Sequence, residues 1–201
     1  MKNRYTLSEL VKIAYSLFIT KLFYPKARLI RRPFYIRGKK SFKYGKGFTT
    51  GYGCRFDLDG EKQTLFIGDN CQIGDHVHMV ALERVELGNG CLLASKIFIS
   101  DTNHGTYDNT DPNSRPDVPP NERKLVTKPV KIGNNVWIGD NVVILSGVEI
   151  GDGCIIGANS VVTHNVRENS IVAGSPARYL KQWDVKEKKW VKISEVDNGM
   201  E

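Results

Sequence analysis

The sequence predicts an all-β fold, a parallel β-helix, with a helical segment before it and a short helix or tail after it. Between Ile132 and Val162 an aliphatic residue recurs at every sixth position, and Gly follows four of these residues. A small or β-branched residue stands four positions after each of the first five. A period of six fits neither a helix nor an amphipathic strand, but it is typical of a coil that stacks three short strands per turn.

The corners of such a coil are predicted where Gly, Asn and Asp cluster, because these residues adopt positive φ at low cost. In the regular stretch they fall at 133–135, 139–141 and 151–153. We place the coil at residues 41–177, with the aliphatic residues of the repeat in its core.

Length and composition limit which class of protein this chain can be. A chain of 201 residues with 40% hydrophobic and 25% charged residues suits one globular domain with appendages. It has no run of 18 apolar residues, so no spanning helix is predicted, and its N-terminus lacks the cleavage site of a secretory signal. The four cysteines form no CxxC pair, and three of them share the inward slot of their hexapeptides: Cys71, Cys91 and Cys154. We expect these to be buried thiols in a reducing compartment, without disulfides or a metal site.

The net charge of +7 is unevenly distributed along the chain. Residues 1–46 contain thirteen Lys and Arg but a single acid, Glu9, whereas residues 47–201 carry a net charge of −5. The basic character therefore belongs to the N-terminal segment, and no nucleic-acid binding is expected from the charge of the chain as a whole.

The N-terminal segment, residues 1–40, is predicted to contain a helix over residues 6–23. Thr6 can cap this helix, with Glu9 at the capping-box position, and Pro25 ends it. An apolar helix beside a basic run can lie on an anionic membrane surface. The other interpretation is a helix that packs on the open end of the coil or on a neighbouring subunit. An apolar stripe runs along it, formed by Leu7, Leu10, Val11, Ala14, Leu17, Phe18 and Leu22.

The repeat stops at Asp101 and leaves a segment of 27 residues outside the coil. This ejected loop, residues 101–127, is rich in Pro, Asn and Asp and shows no helical or strand period. Long loops in a regular fold are usually functional. Residues 178–201 follow the coil. We expect Tyr179–Trp183 to begin a short helix, and the charged tail to extend or to fold against a neighbour.

The main candidate for chemistry is His104, which lies in the ejected loop three residues after Asp101. A neutral imidazole can remove a proton from a hydroxyl at pH 7, and Asp101 and Asn103 could orient the ring or bind a polyol. An ordinary loop histidine would have the same spacing. His76 and His78 alternate on one strand and point to opposite faces, so a metal-binding pair is not expected.

Together these residues resemble the hexapeptide-repeat acyltransferases, in particular the maltose, galactoside and surface-polysaccharide O-acetyltransferases. Three motifs carry the resemblance: ISDTNHG at 99–105, PVKIGNNVWIG at 129–139 and AGSPAR at 173–178. The resemblance implies a left-handed β-helix that assembles as a homotrimer, with active sites between subunits. It also implies acetyl-CoA as co-substrate and no metal. The left-handedness departs from the usual right-handed crossover and follows from the resemblance alone.

The resemblance also implies roles for individual residues. His104 matches the family's catalytic histidine, which takes the proton of an acceptor hydroxyl as its oxygen attacks the thioester directly. The family's cofactor-binding positions match Trp137, Asp140, Ala158, Thr163, His164, Arg178 and Lys181.

The acceptor is specified less well than the cofactor. Gly74 stands where the sugar acetyltransferases carry an acceptor-contacting Asn, and Ala81 and Leu82 replace acidic acceptor residues, although Glu83 is adjacent. With the basic N-terminus, these departures favour an O-acetyltransferase acting on a surface polysaccharide or a lipid-linked glycan precursor. We expect it in the cytoplasm, at the inner face of the membrane. Two alternatives stay open: N-acetylation of an amino sugar, and a non-catalytic β-helical scaffold.

Overall fold

The computed structural model describes residues 5–107 and 113–193, which form one α-helix, 22 strands and two short 3-10 helices. Parts of the predicted ejected loop and tail, residues 108–112 and 194–201, lie outside the described residues.

Short strands follow one another along most of the chain after a single N-terminal helix. The first half comprises α1 (Leu7–Phe23), β1 (Leu29–Ile30), β2 (Phe34–Arg37), a 3-10 helix (Lys39–Ser41), β3 (Phe42–Tyr44), β4 (Thr49–Thr50), β5 (Cys54–Leu58), β6 (Leu65–Ile67), β7 (Gln72–Ile73), β8 (His78–Ala81), β9 (Val85–Leu87), β10 (Leu92–Leu93) and β11 (Phe98–Ser100). The second half comprises β12 (Thr102–His104), a 3-10 helix (Pro120–Glu122), β13 (Leu125–Thr127), β14 (Val130–Ile132), β15 (Trp137–Ile138), β16 (Val143–Ile144), β17 (Glu149–Ile150), β18 (Ile155–Ile156), β19 (Val161–Val162), β20 (Ser170–Gly174), β21 (Ala177–Asp184) and β22 (Lys189–Lys192).

The strands stack into three parallel sheets that form the sides of a triangular coil of about 7 turns. Sheet A runs β1-β4-β7-β10-β15-β18-β20 and is extended by β21 and β22; sheet B runs β2-β5-β8-β11-β16-β19, and sheet C runs β3-β6-β9-β14-β17. Each full turn adds one strand to each sheet, and the pairing between turns is parallel. The predicted parallel β-helix is therefore confirmed.

The core lies where the period of six places it. The six aliphatic residues of the regular repeat, from Ile132 to Val162, are at most 2% exposed. The second inward position, four residues later in each repeat, is equally buried from Val136 to Ser160. All four cysteines are buried and free, and the burial of Cys71, Cys91 and Cys154 agrees with their inward position in the repeat. Burial raises the pKa of the Cys54 thiol to about 11.

The corners also follow the sequence. The third residue of each predicted corner has positive φ, at +56° for Asn135, +56° for Asn141 and +67° for Gly153. Side chains link successive turns at these points: Asn134 Oδ1 accepts from the Asn89 amide at 2.9 Å, and Asp152 Oδ1 accepts from the Asn134 amide at 2.7 Å. Corner residues thus satisfy backbone donors that the short strands leave unpaired.

The coil begins earlier than predicted. Residues 29–30 pair with residues 49–50 in sheet A, and residues 34–37 pair with residues 54–57 in sheet B. The boundary at residue 40 is therefore wrong, and the basic run that follows α1 already belongs to the first turn. These strands escaped prediction because Arg31, Arg32 and Arg37 break the apolar pattern of the repeat.

Helix α1 begins with the predicted capping box. The Glu9 amide donates to Thr6 Oγ1 at 3.3 Å, and the Thr6 amide donates to Glu9 Oε2 at 2.7 Å. The helix packs on the end of the coil, but through small polar residues instead of the apolar stripe. Thr20 Oγ1 accepts from the Ile30 amide at 2.9 Å, and Ser16 Oγ accepts from the Arg32 amide at 3.2 Å.

The C-terminal segment does not form the predicted helix. β21 returns antiparallel along β20, and β22 pairs in turn with β21. β20 would otherwise be the open edge of sheet A, and pairing its backbone groups is favourable. Trp183 and Trp190 face each other across this hairpin, with ring centroids 5.4 Å apart.

Candidate active site

The ejected loop is built on a short antiparallel hairpin. β12 pairs with β13, so that Thr102 lies opposite Thr127 and His104 lies opposite Leu125. The two strands leave and rejoin the coil where sheet B ends and sheet C begins, a position that we call the B–C edge. The segment therefore contains two short strands, although its sequence shows no strand period, and it projects from the coil.

Asp101 anchors the base of the hairpin. Its side chain is fully buried, and Oδ2 accepts from the amides of Glu83 at 2.7 Å and Arg84 at 2.8 Å. Oδ1 accepts from the Leu82 amide at 3.1 Å and from the Thr102 hydroxyl at 2.7 Å. The interpretation of Asp101 as a residue that binds the acceptor or orients the imidazole is corrected. Both carboxylate oxygens accept hydrogen bonds that join two corners of the coil, and the side chain has no exposed surface.

His104 is exposed at the end of β12, and its ring has a defined orientation. Nδ1 lies 3.2 Å from the carbonyl oxygen of Pro120, at the start of the 3-10 helix within the loop. A carbonyl can only accept, so this hydrogen bond requires a proton on Nδ1. In the neutral ring Nε2 then carries the lone pair. This is the tautomer that a general base needs.

The backbone around His104 is held by further contacts within the loop. The Tyr107 hydroxyl donates to the His104 carbonyl at 2.5 Å and accepts from Arg123 Nη1 at 2.7 Å. Gly105 has a φ of +118°, and a Cβ there would lie 2.5 Å from Ser114 Oγ. Only glycine fits this turn, which explains sterically why Gly follows His104 in the motif.

Asn103 and Glu83 lie on the same edge of the coil as His104. Asn103 Nδ2 donates to Ser146 Oγ at 2.6 Å, which ties the hairpin to the next turn of the coil. Glu83 is half-buried, and its amide is one of the three that bind Asp101. Asn103 is therefore part of the hairpin and Glu83 lies at its base, where the sequence predicts an acceptor site.

The predicted cofactor residues do not gather at one place in the chain. Trp137 lies on the outer surface of sheet A and is 50% exposed. Asp140 and Ala158 lie one turn apart where sheet A meets sheet B, the A–B edge; there the Asn159 amide donates to the Asp140 carbonyl at 2.8 Å. The A–B edge and the B–C edge are separated by the whole width of sheet B.

A column of outward residues extends along sheet A from Trp137. Trp137 pairs in register with Ile155, Ile155 with Ile171, and Ile171 with Lys181 on β21. Strands are about 4.8 Å apart, so Lys181 stands roughly 14 Å from Trp137 along the coil. The column thus runs from an aromatic ring, over aliphatic side chains, to a basic residue. Arg178 is exposed on the same strand as Lys181.

Thr163 and His164 lie on the B–C edge, two turns beyond the base of the hairpin. The Thr163 hydroxyl and His164 Nδ1 are 2.7 Å apart, and His164 is exposed as expected for a corner. Within one chain, Thr163 and His164 therefore lie on the same edge of the coil as His104. Trp137 and Asp140 lie on the other side of sheet B.

His78 is occupied in a separate cluster on the outer face of sheet B. Its Nε2 is 2.9 Å from Asp57 Oδ2, and its ring stacks near Phe98 with centroids 5.3 Å apart. Arg55 Nε is 2.7 Å from the same Asp57 oxygen. Within residues 5–107 and 113–193, no three His, Cys, Asp or Glu side chains are placed to hold a metal ion.

Sequence reasoning missed the groups that position His104. The Pro120 carbonyl has no residue-type signature, because every residue carries a carbonyl. Tyr107, Ser114 and Arg123 stand in a segment without periodicity, so nothing local pairs them with His104 or Gly105. The asparagine–serine link of Asn103 and Ser146 joins residues 43 apart and depends on the stacking of turns.

Comparison with known proteins agrees with this architecture. A family model described as "Bacterial transferase hexapeptide (six repeats)" matches residues 129–164. WbbJ of Escherichia coli strain K12, named for O-acetyl transfer in lipopolysaccharide biosynthesis, is 41% identical over 192 residues, which are 96% of this chain and 97% of WbbJ. The chain belongs to the hexapeptide-repeat acetyltransferases. It is an enzyme of this class, and its coil is the expected left-handed β-helix.

Two further proteins resemble this acetyltransferase. Galactoside O-acetyltransferase of Escherichia coli strain K12 is 32% identical over 124 residues, 62% of this chain and 57% of that relative. Among solved structures, a point mutant of AntD, an N-acyltransferase from Bacillus cereus, was determined with dTDP-4-amino-4,6-dideoxyglucose and coenzyme A. It has a TM-score of 0.68 at 21% identity and covers 93% of this chain and 94% of its own. That likeness concerns the fold.

Proposed function

We propose that this acetyltransferase transfers the acetyl group of acetyl-CoA to a sugar hydroxyl, with His104 as the general base. The observation that carries the proposal is the hydrogen bond from Nδ1 to the Pro120 carbonyl at 3.2 Å, which leaves the lone pair of the neutral ring on Nε2. Nε2 takes the proton of the acceptor hydroxyl as the hydroxyl oxygen attacks the thioester carbonyl. The carbon–sulfur bond then breaks, and the imidazolium returns the proton to the leaving sulfur of CoA.

Negative charge develops on the thioester carbonyl oxygen during the attack. We assign its stabilisation to a backbone amide at a corner of the coil, because amides fixed by the ladder of turns need no reorganisation. Asn103, tied to Ser146, and the half-buried Glu83 stand beside the base and are our acceptor-binding residues. Asp101 contributes by holding the hairpin.

Acetyl-CoA has a long arm with a thioester at one end and phosphates at the other. The column from Trp137 to Lys181 has matching chemistry, since its aromatic and aliphatic part suits the pantetheine arm and its basic end suits phosphates. Arg178 adds a second cation at that end. Two edges of the coil complete the proposed cofactor site. The A–B edge contributes Asp140 and Ala158, and the B–C edge contributes Thr163 and His164.

The proposed site needs more than one copy of the chain. His104 lies on the B–C edge and Trp137 lies beyond the A–B edge, so sheet B separates the base from the cofactor column of its own chain. A second copy can place its A–B edge against the first copy's hairpin. Contact between two unlike edges is heterologous, and such contacts close into a ring when the rotation fits. We therefore propose a homotrimer with its active sites between subunits.

The acceptor that we propose is a sugar of a surface polysaccharide or of its lipid-linked precursor. WbbJ is similar over nearly the whole chain and is named for lipopolysaccharide biosynthesis, and a second relative is named for a galactoside. Acetyl-CoA is a cytoplasmic metabolite, and free thiols persist in the reducing cytoplasm, so we place the reaction there, at the inner face of the membrane.

The decisive test is His104→Ala, assayed by release of free CoA from acetyl-CoA with a panel of sugars and glycan intermediates. Loss of a general base should lower kcat on the order of 10²–10⁴-fold and leave the KM for acetyl-CoA close to that of the wild type. Lys131→Ala is the control, because Lys131 is exposed on β14 of sheet C, a side of the coil that contributes no residue to the proposed site. Unchanged turnover of His104→Ala would remove this residue from the mechanism.

The same assay distinguishes O-acetylation from N-acetylation of an amino sugar. An amine attacks as its free base and needs less help from a catalytic histidine. Turnover of amino sugars alone, with a His104→Ala effect of less than about tenfold, would identify N-acetylation. Absence of saturable CoA binding would instead favour a scaffold.

A further inference from the structure

The outer face of α1 is an exposed apolar surface. Ser16 and Thr20 hold the inner face on the first turn of the coil, so the residues on the opposite side of the helix point away from the coil. Large exposed apolar patches mark interaction sites. The outer face carries seven apolar side chains with exposures between 42% and 79%: Leu7, Leu10, Val11, Tyr15, Leu17, Phe18 and Leu22.

Cations border this apolar face. Lys12 and Lys21 are exposed on α1 itself. The Lys39 ammonium lies 5.4 Å from the Phe23 ring centroid and 4.7 Å from that of Tyr24, so it sits at the C-terminal end of the helix. Residues 1–46 carry thirteen Lys and Arg against one acid, whereas residues 47–201 are net acidic. Apolar area and positive charge thus coincide at one end of the molecule.

We propose that the outer face of α1 binds an anionic lipid surface, with the helix lying in the plane of the membrane. Its apolar side chains enter the boundary between headgroups and acyl chains, and the bordering cations pair with lipid phosphates. Charge favours this occupant over a second copy of the chain, because an α1–α1 contact would bring two strongly basic segments together. Among the described residues, no helix is long and apolar enough to cross a membrane.

The attachment of α1 to the coil gives this binding an orientation. Two hydroxyl–amide hydrogen bonds join the helix to the first turn, and Tyr24, Ala27 and Phe34 are buried around it. The first turn therefore faces the lipid. The hairpin of His104 projects from the side of the coil, where a lipid-linked acceptor can approach. Binding itself needs neither acetyl-CoA nor His104, so it is tested separately from the proposed reaction.

The test is co-sedimentation of the full chain with vesicles, without acetyl-CoA or acceptor. Vesicles of phosphatidylcholine are compared with vesicles that also contain phosphatidylglycerol, at low and high salt. We expect binding to the anionic vesicles, weakened by salt. Phe18→Asp combined with Leu22→Asp should weaken it on the order of 100-fold, since each large apolar side chain transferred from water accounts for about tenfold or more. Val185→Asp is the matched control, because Val185 is 75% exposed at the far end of the chain.

Three results would overturn the proposal. The first is failure of the wild-type protein to bind anionic vesicles. The second is equal weakening by Val185→Asp. The third is a Phe18→Asp, Leu22→Asp protein that still binds vesicles but elutes as a smaller oligomer, which would show that the face joins copies of the chain. Circular dichroism and thermal melting establish that the variants are folded, which is expected because both side chains are exposed.

Discussion

Replacement of Asp101 by alanine tests how the coil holds the hairpin that carries His104. The carboxylate accepts hydrogen bonds from three amides, at 2.7, 2.8 and 3.1 Å, and from the Thr102 hydroxyl at 2.7 Å. Asp101→Ala removes both acceptor oxygens, and with them all four hydrogen bonds, at a fully buried position. The donors of Leu82, Glu83 and Arg84 then lose their partner.

The expected effect can be worked from these bonds. A hydrogen bond to a charged group contributes about 1.5–3 kcal/mol, and a buried donor left unsatisfied costs about 1–3 kcal/mol. The sum over four bonds is an upper limit, because the hairpin can move and admit water. We expect the free energy of unfolding to fall by about 4 kcal/mol, near the upper end for single substitutions. Since β12 starts next to Asp101, turnover should fall as well, even under conditions in which the variant is folded.

Urea unfolding at fixed protein concentration measures the first effect, and CoA release measures the second. Asp69→Asn is the control, because this exposed corner aspartate accepts from the Lys46 amide at 2.7 Å and Asn keeps an acceptor oxygen. It should change the free energy of unfolding by less than about 1 kcal/mol. If Asp101→Ala changes stability no more than Asp69→Asn, the role assigned to Asp101 is refuted.

Two further predictions concern the coil. Gly88→Ala would place a Cβ 2.7 Å from the carbonyl carbon of Gly133 and 2.8 Å from the Asn134 amide, so adjacent turns must separate. We expect the free energy of unfolding, measured in urea, to fall by about 2 kcal/mol. A decrease below about 0.5 kcal/mol would contradict the tight stacking of the turns. Burial alone would raise the pKa of Asp57, but hydrogen bonds from His78 and Arg55 and the nearby positive charges outweigh it, so that this pKa lies below its usual value. A carboxyl of this kind stabilises the fold above its unfolded pKa, and the stabilisation is lost as pH falls through the folded pKa. Asp57→Asn should therefore lose less stability than the wild type when urea unfolding is repeated from about pH 5 down to pH 2, and identical acid dependence would refute this.

The coil is predictable because each turn repeats one local rule. Ile132 and its successors fill equivalent core positions, and Asn135 and Gly153 supply the positive φ of the corners. Such information is contained in the residue type and the spacing. The same rule fails at the first turn, where arginines interrupt the apolar pattern, and at the C-terminus. There, β21 pairs with β20 because β20 would otherwise be an open sheet edge, and no local sequence pattern indicates this.

The site is predictable only in part. Residue type, loop position and the surrounding motif point to His104, whereas its ring orientation depends on the Pro120 carbonyl 16 residues away. The motif also suggests a chemical role for Asp101, which is instead the anchor of the hairpin, because burial is not visible in a loop without periodicity. The apolar stripe of α1 is evident from the spacing of its residues, but the structure packs the helix through Ser16 and Thr20.

Short-range spacing and residue chemistry are enough to specify the β-helix, its core, its corners, the capped helix and the candidate base. Tertiary contacts alone settle which groups hold His104, which residues line up between Trp137 and Lys181 and which face of α1 is exposed. Those features depend on residues far apart in the chain, which come together only when the turns stack. The separation of His104 and Trp137 by a whole side of the coil is of this kind, and it is the reason to propose an active site shared between subunits.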